Sequence, residues 1–525
     1  MGGKNTRHLP EGLRARGPPS DFCLNGCANR ISGEPYWRQY LDTMKLSQLL
    51  GSDLVAPSGA GAIMIASITA DSRKVLPGAL FVAISGTKAD GARFIADAAA
   101  KGAVAVIAGE GAVLPAGLAI PLVRVPDPRR ALALLAARFY GAQPEIAVAV
   151  TGTSGKTSVA EFTRQIFARC GHRAASLGTI GVVKPEGAVY GSLTTPDPVA
   201  LHKTLAGLES EGITHLAFEA SSHGLDQHRL DGVKLVAAAF TNLGRDHMDY
   251  HPSVAHYLAA KLRLFTELLP PGRTAVINAD GERSEDVLGA IEGRDLRVLT
   301  VGRRGRHLKL IDVSLEGFGQ RLTVRHAGGD LTLSLPLVGT YQAENALTAA
   351  GLAMAAGERV EQVLGALPSL EGVKGRLEIV GRVKGGLAVV DYAHKPEALV
   401  AALEACRPFV SGRLICVFGC GGDRDRGKRP IMGRIAAERA DVVIVTDDNP
   451  RSERPAAIRS EILVSAPGAR EIGDRAEAIR AAVAMMGPGD VVLVAGKGHE
   501  TGQIIGDSVI PFSDQDEIRA ALGEA

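Results

Sequence analysis

Cysteine is scarce in this chain, which has six cysteines among 525 residues. They are Cys23, Cys27, Cys170, Cys406, Cys416 and Cys420. Residues so few and so widely separated do not make a disulfide framework, and no C-x-x-C pair is present. We therefore expect free thiols and no zinc site.

The chain also lacks an excess of either charge. It carries 59 basic and 57 acidic residues, for a formal net charge of +2, and the basic residues are dispersed along the sequence. Proteins that bind nucleic acid usually show a basic patch or stripe instead. The composition therefore argues against a nucleic-acid partner.

Long apolar runs are absent as well. No run approaches the roughly 18 residues that a membrane span needs, and the N-terminus lacks the apolar core of a secretory signal. We expect a cytoplasmic protein that binds no membrane. Residues 1–43 are rich in arginine, glycine and proline without periodicity, whereas Met44 opens an amphipathic segment. We interpret residues 1–43 as a disordered or non-native extension.

The rest of the chain alternates short apolar runs with helical patterns. A chain of 525 residues predicts three or four domains at about 150 residues each, and we place three, at residues 44–144, 145–372 and 373–525. The apolar runs lie at residues 80–84 and 103–107, then at 146–150, 216–218, 236–240 and 275–277, and finally at 387–390, 414–418, 442–445 and 491–494. This alternation predicts an α/β fold, with a small α/β unit first and then largely parallel sheets covered by helices on both faces.

Residues 151–158 read Thr-Gly-Thr-Ser-Gly-Lys-Thr-Ser and join an apolar run to a helical pattern that ends at Cys170 and Gly171. Glycines let backbone N–H groups turn toward phosphate oxygens, while the lysine reaches the terminal phosphates and a hydroxyl ligates Mg²⁺. Val150 stands where the general G-x-x-x-x-G-K-[ST] pattern has glycine, so the loop is a shorter variant. The sequence predicts ATP binding, and the alternative is an ordinary glycine-rich turn. The candidate nucleotide-binding residues are Gly152, Thr153, Ser154, Gly155, Lys156, Thr157 and Ser158.

Polar residues follow several of the apolar runs, where ligands of open α/β sheets bind. In the central block they occupy residues 219–229 and 241–249. Glu219 is placed to hold Mg²⁺ against the nucleotide phosphates, with the Thr157 hydroxyl, and His247 is a candidate second ligand. The alternative is that these segments are helix caps and solvated loops. Similar polar segments in the third block lie at residues 391–394, 419–429, 446–451 and 496–500.

Taken in order and spacing, these residues resemble the Mur ligases of peptidoglycan synthesis, and among them the members that add the third amino acid. The resemblance runs from Met44 to the end of the chain. Its carriers are residues 71–73, 77–78, 80–83, 151–158, 194–196, 219–229, 246–247, 257–261, 375–376, 391–394, 419–430, 448–451 and 496–500.

The resemblance implies three domains: an N-terminal UDP-binding α/β domain, a central P-loop ATPase domain with a mostly parallel sheet, and a C-terminal Rossmann-like domain that binds the amino acid. It also implies a monomeric ligase whose substrates are UDP-N-acetylmuramoyl-L-alanyl-D-glutamate, ATP and an amino acid, with Mg²⁺. In such enzymes ATP phosphorylates the glutamate side-chain carboxylate, and the incoming amine displaces phosphate from the acyl phosphate.

Roles carried over from the family are assigned residue by residue. Ser72 would contact the uridine end, while Thr194, Thr195, Ser221, Gln227 and Arg229 would hold the muramyl dipeptide and its pyrophosphate. Asn345, Arg376 and Asp391 match positions that contact the nucleotide, and a guanidinium such as that of Arg376 suits a phosphate. The implied catalytic residues are Lys156, Lys261, His247 and Arg376, and the implied metal ligands are Thr157, Glu219, His247 and carbamylated Lys261.

Lys261 matches a lysine that is carbamylated in this family. A carbamate carries two oxygens and a negative charge, so it can help to ligate a second Mg²⁺. A lysine that reacts with CO₂ must spend time unprotonated, and burial or nearby cations would lower its pKa. Without the family match, an exposed helical lysine would be the better interpretation.

Residues 448–451 resemble the Asp-Asn-Pro-Arg signature of members that add meso-diaminopimelate. Arg451 can pair with the distal carboxylate, which lysine lacks, and Arg424 could support it. Glu500 and the Gly496 backbone would take the distal ammonium. The residues assigned to this substrate are Arg424, Asp448, Asn449, Arg451, Gly496 and Glu500. The structural alternative is a β-turn built by Asn449 and Pro450, and this turn is compatible with a role in substrate binding.

Four alternatives to this function remain open at the level of sequence. The same ligase could use L-lysine or another amino acid, or the chain could be another Mur-superfamily ligase acting on a different acid. It could instead be a nucleotide-dependent switch, in which phosphate release would need no amino acid. The most conservative alternative is a nucleotide-binding module without catalysis.

Overall fold

The computed structural model describes residues 43–86, 90–189, 193–244, 246–248 and 250–523. The predicted extension, apart from Thr43, lies outside the described residues. Within the described ranges, no helix is both long enough and apolar enough to cross a bilayer. Cys170, Cys406, Cys416 and Cys420 are free thiols, as predicted, while Cys23 and Cys27 lie outside the described residues.

The first block is the small α/β unit that the sequence predicts. Its elements are β1 (Met44–Lys45), α1 (Leu46–Leu50), β2 (Met64–Ile65), β3 (Ser67–Thr69), β4 (Ala79–Ala83), α2 (Ile95–Ala100), β5 (Ala103–Gly109), β6 (Leu122–Val125) and α3 (Pro128–Tyr140). Strands β3 to β6 form a parallel sheet in that order, and β1 pairs with β2. Asp127 accepts hydrogen bonds from two backbone N–H groups at the start of α3, where proline at N1 fixes the backbone for a helix.

The central block is built on an eleven-stranded sheet. Its strands are β7 (Ile146–Thr151), β8 (Ala174–Gly178), β9 (Gly181–Lys184), β10 (Gly187–Val189), β11 (His215–Glu219), β12 (Ala237–Phe240), β13 (Thr274–Asn278), β14 (Arg297–Gly302), β15 (Leu308–Glu316), β16 (Gly319–His326) and β17 (Gly329–Leu335). Its helices are α4 (Lys156–Arg169), α5 (Pro198–Ser210), α6 (Ser222–Asp226), α7 (Val254–Arg263), α8 (Ser284–Ala290), α9 (Tyr341–Ala355) and α10 (Val360–Ala366).

Apolar side chains cover both faces of this sheet. The strand order is β10-β9-β8-β11-β7-β12-β13-β14-β15-β16-β17, and the pairs from β8 to β15 are parallel. Phe162 of α4 and Leu347 of α9 share one core cluster, whereas Leu205 of α5 and Tyr257 of α7 belong to the other. Parallel strands that are buried on both faces read as continuous apolar runs, which is how the sequence located them.

The third block has a six-stranded sheet of order β18-β19-β23-β20-β21-β22. Its elements are β18 (Glu378–Val383), β19 (Gly386–Asp391), α11 (Pro396–Cys406), β20 (Leu414–Phe418), α12 (Lys428–Arg439), β21 (Val442–Val445), α13 (Pro455–Leu463), β22 (Arg470–Glu471), α14 (Arg475–Ala484), β23 (Val491–Ala495), β24 (Gly502–Ile505), β25 (Ser508–Pro511) and α15 (Asp514–Leu522). All pairs in the six-stranded sheet are parallel except β18 with β19, and β24 and β25 form a separate antiparallel pair. Helices α11 to α13 pack on one face, and α14 and α15 pack on the other.

The α/β class and the parallel core are confirmed. The central sheet also has two antiparallel parts that the sequence did not predict. Strands β15, β16 and β17 form a meander at one edge of the central sheet, and β9 and β10 form a hairpin at the other. The apolar runs quoted from the sequence all fall on strands, with ends that differ by one or two residues.

Candidate active site

The phosphate loop joins β7 to α4 and contains two glycines in close contact with neighbouring segments. Any other residue at either position would force neighbouring atoms to move. Gly155 has φ of +84°, and a Cβ added there would lie 2.4 Å from Asn345 Oδ1. At Gly152, a Cβ would lie 1.9 Å from Thr241 Oγ1. The loop is therefore held against two neighbouring segments, and the N-terminus of α4 faces the space where an anion would bind.

Two lysines converge on the backbone of this loop. The Lys156 ammonium donates to the carbonyls of Gly152 and Thr153, each at 2.9 Å. Lys261, on α7, donates to the Gly152 carbonyl at 2.6 Å and lies over the Tyr257 ring, 4.3 Å from its centroid. A phosphate competes well for such ammonium groups because backbone carbonyls carry no net charge.

Lys261 is only 1% exposed. Burial, together with the positive charge of Lys156, moves the pKa of Lys261 well below its ordinary value, and Asp246 opposes the shift. Burial also lowers the pKa of Lys156, which Glu219 and Asp246 oppose. Burial and the charge of Lys156 therefore both favour the neutral amine form of the Lys261 side chain.

The predicted metal ligands line the same space. Glu219 ends β11, is 1% exposed, and accepts a hydrogen bond from the Thr179 N–H at 2.7 Å. Thr157 is the second residue of α4, directly after Lys156. His247 has φ of +57°, and its backbone N–H donates to Asp246 Oδ1 at 2.8 Å. A hydroxyl, a carboxylate and an imidazole form a donor set that suits a divalent cation, with the two oxygen donors suiting Mg²⁺.

The three residues assigned to the nucleotide come from two blocks. Asn345, on α9, lies against Gly155 and donates to Gln342 Oε1 at 2.9 Å. The Arg376 guanidinium lies 5.2 Å from the centroid of the Tyr392 ring, and its buried Nε has no hydrogen-bond partner. Asp391 accepts from the Leu377 N–H at 2.8 Å, and burial raises its pKa to about 6, against the effect of Arg376. An orphaned guanidinium N–H in this position calls for an anionic ligand.

These groups surround one cavity of about 620 Å³ between the central and third blocks. The predicted residues that line it are Thr153, Ser154, Gly155, Lys156, Thr157, Ser158, Thr194, Glu219, Ser221, His247, Lys261, Asn345, Arg376 and Asp391. A cavity of that size falls within the range of small-molecule and cofactor sites.

The cavity also has lining residues to which the sequence gave no individual role, although Ser222, Asn242, Asp246, Tyr392 and His394 lie in the polar strand-end segments that it marked as candidate sites. They include Thr179, Ser222, Asn242, Asp246, Tyr257, Asn278, Tyr341, Glu344, Tyr392, His394 and Lys395. Asn278 ends β13 and donates to Glu344 Oε2 at 3.0 Å, so the rule of polar residues at strand ends could have found it. Thr179 gave no signal, because it lies in a turn whose partner, Glu219, is distant in sequence.

The residues assigned to the muramyl dipeptide form a connected network beside the cavity. Thr195 Oγ1 accepts from both the N–H and the hydroxyl of Ser221, at 3.1 and 2.9 Å. Arg229 donates to the Thr195 carbonyl at 2.6 Å and to Gln227 Oε1 at 2.7 Å. Thr194 reaches the network through Thr179, with 3.0 Å between their hydroxyl oxygens. The structure therefore brings these five residues together.

Ser72 is the one assigned residue in the first block. It lies in a single 3₁₀ turn capped by Asp71, is 9% exposed, and its carbonyl accepts from the Lys101 ammonium at 3.1 Å. It does not line the cavity of the central block.

A second group of assigned residues lies at the ends of β21 and β23 in the third block. Asn449 donates to Glu500 Oε2 at 2.9 Å, and its Oδ1 accepts from the fully buried Lys497 ammonium at 2.8 Å. A Cβ at Gly496 would lie 3.0 Å from Asp448 Oδ2, so the two strand ends are in close contact. Lys497 had not been assigned a role, although it lies within the polar segment at residues 496–500.

Arg451 has φ of +51°, and its guanidinium donates to the Gly422 carbonyl at 2.9 Å. Arg424 is exposed on the neighbouring loop. This second group adjoins the nucleotide cavity, since a Cβ at Gly498 would lie 2.6 Å from the Tyr392 side chain. Asp391 of the nucleotide cavity ends β19 in the same sheet as β21 and β23, so this sheet contributes strand ends to both sites.

Comparison with known protein families gives matches in all three blocks. The model described as "Mur ligase family, catalytic domain" matches residues 64–140, "Mur ligase middle domain" matches residues 150–353, and "Mur ligase, glutamate ligase domain" matches residues 375–498. The three matches follow one another in the order of the three blocks.

Among curated proteins, relatives in Bradyrhizobium diazoefficiens and Caulobacter vibrioides are 59% and 56% identical. The alignments cover 91% and 90% of this chain, and 99% and 98% of the relatives. Both relatives are named UDP-N-acetylmuramoyl-L-alanyl-D-glutamate--2,6-diaminopimelate ligase.

Among solved structures, one with the same ligase name is 32% identical and has a TM-score of 0.69, covering 92% of this chain and 99% of that one. A crystal structure of MurF from Acinetobacter baumannii is similar in fold, with 20% identity, a TM-score of 0.58, and coverage of 87% of this chain and 96% of that one.

Proposed function

The chain belongs to the Mur ligase family, and we propose that it adds meso-diaminopimelate to UDP-N-acetylmuramoyl-L-alanyl-D-glutamate at the expense of ATP. The three-domain architecture and the names shared by relatives along more than nine-tenths of the chain support this activity. One structural observation carries the chemistry: the phosphate loop, two lysines and the strand ends of the third block meet in a single cavity.

The reaction needs an activated carboxylate, since a carboxylate anion is a poor electrophile. An oxygen of the D-glutamate side chain attacks the terminal phosphorus of ATP, and ADP leaves. The amine of the incoming amino acid then attacks the carbonyl carbon of the acyl phosphate, and orthophosphate leaves as the amide forms. The protein contributes positions for three anionic reactants and cations that offset their repulsion.

Lys156 of the central block and Arg376 of the third block supply those cations, and both line the cavity. In our proposal Lys156 moves from the loop carbonyls to the terminal phosphates, and Arg376, whose Nε has no partner, pairs with a phosphate oxygen. Asn345 and Asp391 hold the rest of the nucleotide. Thr157, Glu219 and His247 would hold Mg²⁺, which when bound offsets the phosphate charge and supplies Lewis acidity.

Lys261 is proposed to carry a carbamate. Its depressed pKa favours the free amine, which attacks CO₂ with loss of one proton, and the product is an anion in the cavity that Glu219 also lines. The nearby Lys156 ammonium would stabilise that anion, and the carbamate would add two oxygens to the metal site.

The muramyl dipeptide is proposed to bind the network formed by Thr194, Thr195, Ser221, Gln227 and Arg229. Hydroxyl and guanidinium donors in this network suit a pyrophosphate and a peptide carboxylate. Ser72, in the first block, is proposed to contact the uridine end.

The amino acid is proposed to bind where Arg451, Asn449 and Glu500 meet. Arg451 would leave the Gly422 carbonyl to pair with the distal carboxylate, with support from Arg424. The distal ammonium would meet Glu500 and Asp448 beside the Gly496 backbone. L-lysine has no distal carboxylate, so the Arg451 guanidinium would stay unpaired when L-lysine is bound. Because leaving a charged group unpaired is costly, the site should discriminate strongly against this analogue.

We also propose that the enzyme acts as a cytoplasmic monomer, since one chain carries every group assigned to the reaction. Specific activity should then stay constant across a dilution series, and sedimentation should give a single species of one chain. A specific activity that falls on dilution would contradict this.

A coupled phosphate assay tests the ligase proposal, with each substrate omitted in turn. Orthophosphate should form only when UDP-muramyl-dipeptide, ATP, Mg²⁺ and meso-diaminopimelate are all present. Labelling the glutamate carboxylate with ¹⁸O should place one labelled oxygen in the phosphate released. Phosphate formation without the amino acid would indicate a nucleotide switch, and unlabelled phosphate would rule out the acyl phosphate.

Arg451→Ala tests the choice of amino acid. We expect kcat/KM for meso-diaminopimelate to fall by at least about 100-fold, because a bidentate charged pair is lost, while kcat/KM for L-lysine changes little. Arg454→Ala, three residues along the same loop, is the control. Equal losses for the two amino acids would show that Arg451 does not read the distal carboxylate.

A further inference from the structure

We propose that His172, His215 and Glu358 form a second metal site, for a divalent transition-metal ion of the zinc class, at the opposite end of the central sheet from the nucleotide. Their ligand atoms all lie within 4.8 Å of one another. The site would hold the C-terminal ends of α4 and α9 to the first residue of β11, and its role would be structural. The sequence-based expectation of no zinc rested on cysteine spacing alone.

Three rigid elements bring these side chains together. His172 follows α4, where its N–H donates to the Phe167 carbonyl at 3.1 Å, and His215 is the first residue of β11. Glu358 follows α9, with its N–H donating to the Ala353 carbonyl at 3.1 Å. Ligands that are fixed before the ion arrives lose little entropy when it binds.

The distances suit a small cation. Nε2 of His172 lies 2.8 Å from Glu358 Oε1, and Nε2 of His215 lies 3.9 Å from the same oxygen. Zinc bonds of about 2.0–2.2 Å to nitrogen and oxygen in a tetrahedral site place ligand atoms about 3.3 Å apart, which falls between these two values. The imidazole rings are stacked, with centroids 3.8 Å apart and planes at 20°, so one ring must turn before both Nε2 lone pairs point at the same ion.

The hydrogen bonds around His215 leave a lone pair facing the carboxylate. The Thr214 hydroxyl donates to the Arg173 carbonyl at 3.3 Å, so its oxygen accepts from His215 Nδ1, which lies 2.9 Å away. This places the proton of the neutral ring on Nδ1 and leaves Nε2 as an acceptor opposite Glu358. Nε2 of His215 and the Glu358 carboxylate are then two buried acceptors that face each other, an arrangement that favours a cation between them. The hydrogen bond from Nδ1 to Thr214 fixes the orientation of the ring, as such bonds do for metal-bound histidines.

Burial and access both suit an ion that enters from solvent and stays. The side chains of His215 and Glu358 are 9% and 12% exposed, whereas that of His172 is 32% exposed. Two imidazole nitrogens and one carboxylate oxygen select zinc-like ions over Mg²⁺, which prefers oxygen ligands. His172 is the most exposed of the three ligands, so solvent reaches the site from its side.

The location gives the ion a mechanical role. Helices α4 and α9 pack against each other in one core cluster, and their N-terminal residues Lys156 and Tyr341 line the nucleotide cavity. The fourteen residues of α4 span about 20 Å, so the metal would lie a helix length from the chemistry. It would stabilise the pair of helices without touching substrates.

The test titrates Zn²⁺ into untagged, chelator-treated full-length protein with saturating Mg²⁺ present. Four proteins are compared: wild type, His172→Ala, Glu358→Gln and, as a control histidine at the β16–β17 turn, His326→Ala. Wild type and His326→Ala should bind one more equivalent of Zn²⁺ than the other two, or bind it at least about tenfold more tightly. Zn²⁺ should also raise the melting temperature of those two proteins alone, by about 2–4 °C.

The outcome does not depend on ligase activity. His172 and Glu358 lie outside the active site, so both variants should turn over Mg²⁺-ATP at the wild-type rate, which also shows that they fold. An anomalous peak at the zinc edge, between His172 and Glu358, would locate the ion in a crystal. Equal Zn²⁺ binding by all four proteins, or no stoichiometric binding by any, would overturn the proposal.

Discussion

At the scale of single residues, the decisive feature of this site is the protonation of buried groups. Lys261 is placed between Gly152 and Tyr257, and both burial and the charge of Lys156 favour its neutral form. Desolvation disfavours the charged form of a lysine, so the burial of Lys261 works against an ammonium at this position. The surroundings therefore suit a lysine that reacts as an amine.

Lys261→Ala should reduce kcat by at least about 100-fold, since one charged group that stabilises a transition state is typically worth that much. Added bicarbonate should not restore activity to this variant. Lys309→Ala, an exposed lysine on β15, is the control. Mass spectrometry of the intact wild-type protein, under conditions that preserve carbamates, should show one added CO₂ that the variant lacks. Unchanged turnover in Lys261→Ala would remove this residue from the metal site.

Asp391 gives a pH dependence with a definite sign. Burial raises the pKa of its carboxyl to about 6, so it loses its charge as the pH falls through 6, and a neutral acid is a poorer acceptor for nucleotide hydroxyls. We expect kcat/KM for ATP to fall below pH 6 in the wild type. In Asp391→Asn, kcat/KM for ATP should be lower than in the wild type but should change less between pH 5 and pH 7, with KM for ATP raised about tenfold.

The same shift affects stability in the opposite sense. The folded protein holds this proton more tightly than the unfolded chain, so the contribution of Asp391 is most favourable below about pH 4 and is lost as the pH rises through 6. Asp391→Asn should therefore be at least as stable as the wild type at pH 7, as measured by urea denaturation. A variant that loses both stability and ATP binding would instead indicate a structural role.

At the scale of elements, the unit that positions the chemistry is strand, loop and helix. β7 ends at Thr151 and α4 begins at Lys156. Of the four residues between them, Gly152 and Gly155 have no room for a side chain. The left-handed φ of Gly155 and its closeness to Asn345 show why the loop has glycine there.

Gly155→Ala should abolish detectable ATP binding, because the new methyl group must displace Asn345 and the backbone must keep a positive φ. The conformational part of this penalty is about 1–2 kcal/mol. Gly171→Ala is the matched control: it lies just beyond the other end of the same helix, with φ of +95° and nothing within 4 Å of an added Cβ. Gly171→Ala should lose stability by a similar conformational amount and still bind ATP in calorimetry. If both variants bind ATP equally, the contact with Asn345 does not shape the loop.

The sequence predicted the strands that are buried on both faces, because burial on both faces leaves a clear pattern in the sequence. Strands such as β7, β20 and β23 are buried on both faces, so each appears as a continuous apolar run followed at once by polar residues. The strand-end rule then located Glu219 and Asp391 correctly at the edge of the cavity.

The antiparallel strands escaped the prediction for a physical reason. β15 and β17 are exposed along much of one face, so apolar and polar residues alternate and no long apolar run marks them. The contribution of Thr179 to the site was equally hidden, since a turn between β8 and β9 has no periodic pattern. The metal site proposed at His172 joins three residues far apart in sequence, and only the folded chain brings them together.

At the scale of the whole molecule, the nucleotide cavity is shared between two blocks. The central block supplies the phosphate loop and Asn278, while the third block supplies Arg376, Asp391 and Lys395. Asp246 and Lys395 lie 3.7 Å apart across the cavity, but both side chains are more than a third exposed, and such pairs contribute little stability. The nucleotide itself is therefore expected to hold the two blocks together.

Hydrogen exchange can measure this coupling directly. With a non-hydrolysable ATP analogue and Mg²⁺, protection should rise both in residues 152–158 and in residues 391–395, because one ligand contacts both segments. Arg376→Ala should keep the protection of the phosphate loop and lose that of residues 391–395, since the guanidinium that joins the phosphates to the third block is gone. The exposed Arg382→Ala, on β18, serves as the control. Protection confined to residues 152–158 in the wild type would mean that the third block does not respond to ATP, and that another reactant must bring the amino-acid site to the acyl phosphate.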